Sequence, residues 1–219
     1  VVLTSWRDDS VGGDTNGDGN ATGPTNTDWY GVQSSPAGNG NPDPTINLDR
    51  VKISWASTGV SASQSVVSVT NSEVSRVQGD GITVSSPVGI PTVTGNTVNN
   101  AGYNAIRVSS ANIDFARLNG NSGSGNQFNA VALESDTVTV SSSLPWSGNL
   151  IPLLWGGCSS VTIAPSVTVT LNPGTVIKGG NHSCGGLYVQ GSLVGAGTVA
   201  NPVVLTSWRD DSVGGDTNG

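Results

Sequence analysis

From Ile46 onward the chain is a succession of short alternations of apolar and polar positions: Leu48, Val51, Ile53 and Trp55, then Val66, Val67 and Val69, then Val74 and Val77, then Ile82 and Val84. Each run ends after a few residues at Gly, Asn, Ser or Pro. Short runs rich in Val, Ile and Thr between such breakers predict strands and an all-β chain. No stretch carries apolar residues at i, i+3, i+4 and i+7 with helix-forming spacers, because the spacers are Ser, Thr, Gly and Asn.

The breakers choose among all-β folds. Asp80-Gly81 and Asn119-Gly120 have the composition of two-residue hairpin turns. Elsewhere single residues interrupt a run, as in Thr92 to Val98 around Gly95-Asn96 and in Val189 to Val194 around Gly191. A one-residue corner bends a chain without reversing it, which predicts coils stacked on coils in a parallel β-helix. Val169 and Val189 are expected to head equivalent strands, with Pro173 to Val176 taking the place that Gln190 to Leu193 takes one coil later.

The N-terminal part reads differently. Val1 to Trp6 predicts a strand with Val2, Thr4 and Trp6 on one face and Val1, Leu3 and Ser5 on the other. From Arg7 to Thr27 the apolar content nearly vanishes, and Trp29, Tyr30 and Val32 then return the chain to an apolar surface before a second polar loop, Gln33 to Pro44. The stretch 7–28 is too long for a turn and reads as an insertion into the fold.

That insertion belongs to a duplicated segment. VVLTSWRDDSVGGDTNG occurs as Val1 to Gly17 and again, without a change, as Val203 to Gly219. The chain is expected to be one 202-residue period of a tandem array, residues 1–202, with 203–219 opening the next identical repeat. A chain without methionine is expected to lie within a longer polypeptide. At roughly 20 to 25 residues per coil and the ~4.8 Å strand spacing, a period of about eight to ten coils would advance about 40 to 50 Å.

Charge narrows the partners. The net charge is −7; the second copy contributes one Arg and three Asp, so a single period carries 7 basic and 12 acidic residues. Such a surface repels phosphate backbones, and no basic cluster opposes it, so nucleic acid is excluded as a partner. No apolar run approaches the ~20 residues of a membrane span. Two cysteines in an acidic, lysine-poor chain fit an oxidising compartment, and the protein is expected to be extracellular, secreted or at a cell surface.

The candidate chemistry sits in the insertion. Asp14, Asn16 and Asp18 alternate, with Gly19 next, in the pattern by which the first half of an EF-hand loop converges oxygen ligands on Ca²⁺. The twelfth position is Thr25 in place of a bidentate Glu and no helix flanks the loop, so Asn20, Asp28 or the pair Asp8-Asp9 is needed to complete a shell. The plainer alternative is a solvated cluster of turn residues. The second copy stops before the equivalent of Asp18 and holds only part of the pattern.

Cys158 and Cys184 are 26 residues apart, about one coil plus a small insertion, and predict a disulfide between neighbouring coils. A metal site of Cys158, His182 and Cys184 lacks a fourth ligand. Glycoside cleavage needs two carboxylates facing one sugar, and the available pairs, Asp8-Asp9 and Glu134 with Asp136, carry no accompanying signature. The tryptophans stand at strand ends, where packing is a commoner role than sugar stacking.

The run VTVTLNPGTVIKGG, Val167 to Gly180, with Gly185 to Trp208 after it, resembles the coils of right-handed parallel β-helix proteins of the pectin-lyase-like type, above all the repeats of very large secreted or surface proteins. Ile90 to Ser110 is similar to the looser coils of that superfamily. The resemblance implies the fold. It leaves function open, since this fold carries enzymes, adhesins and inert spacers. The expectation is a structural repeat of a large extracellular filament or adhesin stalk, a calcium-stiffened rod without an active site, whose partners are identical repeats stacked end to end. A carbohydrate-binding or polysaccharide-degrading β-helix, with cell-surface glycans as partners, is the alternative.

Overall fold

In the computed structural model, which describes residues 1–36, 41–144, 148–155, 160–180 and 186–219, the corners are made by single residues in the left-handed region. Arg50, Asn71, Gly95 and Gly120 have φ of 54°, 50°, 66° and 77°, and Trp55, Arg76, Asn100 and Gly125 have 59°, 55°, 57° and 68°. One such residue turns the chain sharply while the strands on either side stay extended. Asn119-Gly120 and Asp80-Gly81 are therefore not hairpin turns: every strand pairing among the described residues is parallel.

The first coil holds β1 (Val2–Leu3), β2 (Val32–Gln33) and β3 (Thr45–Asp49), the second β4 (Lys52–Ser54), β5 (Val60–Ser63) and β6 (Val66–Thr70), and the third β7 (Glu73–Val77), β8 (Ile82–Ser85) and β9 (Thr92–Thr94). The fourth has β10 (Thr97–Ala101) and β11 (Asn104–Ser109), followed by a 3₁₀ turn, Phe115–Leu118. The fifth has β12 (Ser122–Ser124), β13 (Phe128–Leu133), β14 (Thr137–Val138) and β15 (Ser142–Leu144). Then come β16 (Ile151–Leu154), β17 (Ser160–Ile163) and β18 (Thr168–Leu171), then β19 (Val176–Gly179), β20 (Gly186–Val189) and β21 (Ser192–Gly195), and finally β22 (Val204–Ser207).

These strands stack into sheet I (β1-β4-β7-β10-β12), sheet II (β2-β5-β8-β11-β13-β16-β19-β22), sheet III (β3-β6-β9), sheet IV (β14-β17-β20) and sheet V (β15-β18-β21). The protein is a parallel β-solenoid of about seven turns. The early coils are bounded by sheets I, II and III and the late ones by II, IV and V. The 3₁₀ turn lies between β9 and β15, bridging sheets III and V into one face.

Inward side chains form one core along the axis, with Val60, Ile82 and Ile106 in register on one wall and Val69 and Val93 on another. One corner is polar and fully used. Val51 N donates to Ser72 Oγ (3.1 Å), Ser72 N to Asn96 Oδ1 (3.0 Å) and Asn96 N to Asn121 Oδ1 (3.0 Å). The amides of Asn96 and Asn121 donate in turn to the carbonyls of Val69 and Val93. Backbone groups that leave the ladder at the corner are thereby satisfied inside the core.

Three expectations are corrected. The longest sheet has eight strands, hence seven steps, not the eight to ten coils expected, because the first coil, which carries the insertion, takes 50 residues from Val2 to Lys52 and the last takes 28 from Val176 to Val204. Val169 pairs with Leu193 and Val189 with Ile163, so Val169 and Val189 lie on different faces. Each coil has several corners of similar composition, and the sequence alone matched the wrong pair. The first strand is only Val2–Leu3. Leu3 packs on the core and Ser5 is buried, while Trp6 stays 55% exposed.

Candidate metal loop and duplicated edge strand

The 7–28 insertion leaves the solenoid after β1 and is stapled at its base by two of the predicted ligands. Asp28 accepts from Ser5 Oγ, Thr25 N (3.0 Å) and Thr25 Oγ1 (2.7 Å) and pairs with Arg7 (3.3 Å). Asp8 accepts from Thr4 Oγ1 (2.6 Å) and Ser10 Oγ (2.5 Å). Burial pushes both carboxyls up, and these hydrogen bonds together outweigh it, so both titrate below the usual carboxylate range. With their oxygens engaged by hydroxyl and amide donors, Asp8 and Asp28 act as staples of the loop.

Three other acids converge. Carboxylate oxygens of Asp9, Asp14 and Asp18 lie within 4.8 Å of one another. Asp14 sits in a cup of backbone amides, accepting from Gly17 N (2.7 Å), Asp18 N (3.2 Å) and Gly19 N (2.9 Å). Gly17 and Gly19 have φ of 72° and 68°, which lets successive amides point to one side. Burial first, then the charges of Asp14, Asp18 and Asp8, raise the Asp9 carboxyl above its ordinary value.

Asn16 is tied to this cluster through a hydroxyl: its Nδ2 donates to Thr22 Oγ1 (3.0 Å), which donates to Asp18 Oδ2 (2.6 Å). Asn16 Oδ1 and Asp9 Oδ1 are both enclosed without a hydrogen-bond partner. Exposed Asn20 lines a shallow cleft together with Asp9. The three carboxylates, two of them amide- or hydroxyl-bonded, form an oxygen set that could hold a hard metal cation.

The two copies of the duplicated segment fold alike. Thr4 to Asp8 (2.6 Å) repeats as Thr206 to Asp210 (2.7 Å), and Thr15 Oγ1 to the Trp6 carbonyl (2.5 Å) repeats as Thr217 to that of Trp208 (2.7 Å). The guanidinium lies 5.2 Å from the tryptophan ring in both. Their neighbours differ. β1 pairs with β4 of the following coil in sheet I, whereas β22 pairs with β19 of the preceding coil in sheet II.

The second copy also covers a surface. Ala132, Leu153, Lys178 and Thr206 form an outward row in register across β13, β16, β19 and β22. Ala132, Leu153 and Lys178 are fully buried there. Lys178 Nζ donates to the Gly215 carbonyl (2.6 Å) and Thr217 Oγ1 (3.2 Å), and Asn129 donates through N and Nδ2 to the carbonyls of Thr217 and Asp216 (3.1 and 3.2 Å). Burial lowers the Lys178 ammonium, opposed by Asp211, Asp210 and Asp216.

Phe128 and Trp155 (centroids 4.4 Å apart) pack with Trp208, 5.8 and 5.9 Å from them, and Tyr103 meets Phe128 at 5.3 Å. These rings contact one another. A groove of about 650 Å³ lies beside the second copy, lined by Ser124, Asn129, Asn149 and Asp216. Lys178 and Asn129 were missed in the sequence. The signal was the unalternating apolar character of Ala130 to Leu133 and Ile151 to Trp155, which marks strands covered on both faces.

The remaining predicted residues are not gathered. Asp136 is buried, accepts from Ser110 N (2.6 Å) and is pushed up to about 8 by burial. Glu134 pairs outward with Arg107 (3.4 Å), which also holds Asp80 (2.8 Å). The disulfide expected between Cys158 and Cys184, with His182 between them, lies outside the described residues, as does Trp146.

Parallel strands stacked coil on coil place the chain in the class of β-solenoid (β-helix) proteins. No protein-family model, curated protein or solved structure matches it. Among the described residues no helix is long and apolar enough to cross a membrane.

Proposed function

We propose that this chain is a structural repeat of a large extracellular filament or adhesin stalk, a rigid rod that projects from or connects cells. The observation that carries the reading is the duplicated strand and loop at the two opposite ends of one solenoid. A unit that begins and ends with the same element stacks on its own copies, and stacking meets the hazard of open strand edges. The finer resemblance, a right-handed helix of the pectin-lyase-like type with a disulfide between Cys158 and Cys184, is part of this proposal.

Calcium is the cation the reading assigns to the loop. Asp9, Asp14 and Asp18 supply charge, and Asn16 and Asn20 supply neutral oxygens. The bound ion would relieve the repulsion among the three carboxylates and hold the insertion against the coil body. The test is electron microscopy of the native material with and without a calcium chelator. Long thin rods that soften or fragment with the chelator are the expected result, and compact single particles would overturn the reading in favour of a glycan-active β-helix.

A further inference from the structure

We infer that β22 is the first strand of the following repeat, so that sheets II, IV and V of one repeat run on, without an interface, as sheets I, II and III of the next. This rests on the reading of the chain as one period of a continuous rod, and it specifies how the periods join.

Hydrogen bonding is the first argument. In a parallel sheet, alternate residues of a strand bond to opposite neighbours. In the first copy, the carbonyl of Val1 accepts from Lys52 N of the following coil (2.9 Å). In the second copy, Val204 N donates to the Thr175 carbonyl (2.9 Å) and Trp208 N to that of Gly179 (2.8 Å), both on the preceding side. The second and sixth positions of the segment thus use one edge and the first position uses the other. One strand can make both sets at once, as a central strand must.

Apolar exposure is the second argument. Tyr188 on β20, Val194 on β21 and Leu205 on β22 are exposed at one end of the solenoid, and Val2, Trp6 and Tyr30 at the other. With β22 serving as the next β1, β20 and β21 receive the next β2 and β3. The continuity of sheets III and V through the 3₁₀ turn already shows one such face carried through the repeat. Trp6, exposed in the first copy, takes the position of Trp208 against Phe128 and Trp155 of the preceding repeat.

The insertion straddles this seam. Its residues equivalent to Gly13 and Thr15 are gripped by Lys178 of the preceding repeat, while Asp8, Val11 and Pro24 face a cleft shared with Lys52, Trp55 and Arg76 of their own. Seven inter-strand steps separate β22 from the first coil in the eight-stranded sheet, which sets the axial period at about 34 Å.

The test is hydrogen exchange by mass spectrometry on a two-period chain, residues 1–219 continued directly by residues 18–219. Peptides covering β20 and β21 are expected to split into two equal populations, one exchanging as in the single-period chain and one at least about tenfold slower. A single fast population, with the two periods behaving as separate beads, would overturn the seam. Native rods with an axial spacing near 34 Å support the seam independently, and rods whose spacing differs by more than one strand step refute it while leaving the rod reading intact. Split exchange in the two-period chain together with compact native particles would retain the seam and reject the rod.

Discussion

Lys178 Nζ lies 2.6 Å from the carbonyl oxygen of Gly215, 37 residues away, so an ammonium at the centre of a strand is committed to the second copy of the duplicated loop. Outward side chains of a solenoid strand normally face water. This one is buried because residues 208–217 fold back over it, with Leu153 and Ala132 in the same row.

Replacing Lys178 with Met should release that fold-back without unfolding the coils. Two acceptors lose their donor, an effect of about 1–3 kcal/mol, which corresponds to roughly 5- to 150-fold faster trypsin cleavage after Arg209 if cleavage follows opening. Arg7 stands in the same local sequence but pairs with Asp28, so cleavage there should not change. Equal cleavage after Arg209 in the wild type and Lys178→Met would show that Lys178 does not hold the segment.

In the proposed calcium loop, Asp14 and Asp18 are assigned as ligands and Asp28 as a staple. Asp14→Ala and Asp18→Ala should abolish calcium binding measured by titration calorimetry, whereas Asp28→Ala should weaken it only through loss of the contacts to Ser5, Thr25 and Arg7. Saturating calcium at about 100 times its dissociation constant should stabilise a single-site chain by about 2.7 kcal/mol. Protons would compete with a bound ion at Asp9, whose raised value should make affinity fall at a higher pH than an ordinary aspartate would. A heat signal that survives Asp14→Ala would place the ion elsewhere.

The class of fold was legible in the sequence because it rests on local facts. Short β-branched runs cannot form helices, and single Gly or Asn corners cannot make hairpins. Which corner stacks on which was not legible, since Gly191 and Gly174 have the same kind of neighbours on different faces. In the loop, composition marked seven oxygen-bearing residues but could not sort them. Asp8 and Asp28 are drawn off by Thr4, Ser10, Ser5 and Thr25, and that depends on how the loop closes. Lys178 could be placed only once the second copy was seen to fold over it.

Asp136 gives the chain a pH dependence of opposite sign to that of Asp8 and Asp28. Its folded value near 8 lies above that of an unfolded aspartate, so between about pH 4 and 8 the native state holds a proton that the unfolded chain has released. Its stabilising contribution is complete below pH 4 and is lost as pH rises through this window, by about 1.4 kcal/mol per unit. Asp136→Asn should flatten denaturant midpoints over that range. Asp28 and Asp49, whose values are lowered, act at the acid end, where their contributions are lost as pH falls. A wild-type midpoint that rises between pH 5 and 8 would contradict the assignment.

Asn121 tests whether the corner ladder or the sheet faces set the stability of the solenoid. Its side chain accepts from Asn96 N (3.0 Å) and Nδ2 (3.1 Å) and donates to the carbonyls of Val93 (2.9 Å) and Leu118 (2.8 Å), all in the buried interior. Asn121→Ala strands these groups away from water and should cost on the order of 3 kcal/mol. Asn121→Asp keeps the acceptor but sets a carboxylate against two carbonyls, so it should also destabilise, and less so at acid pH. Ser122→Ala removes only a 3.3 Å hydroxyl contact to Thr97 on the half-buried face and should stay within about 0.5 kcal/mol. Because Asn96 carries the same bond pattern on to Ser72, Asn96→Ala and Asn121→Ala share partners, and their combined effect in urea unfolding should fall short of the sum. Additive losses would mean that each coil is held independently, and the ladder would then not be the element that couples one coil to the next.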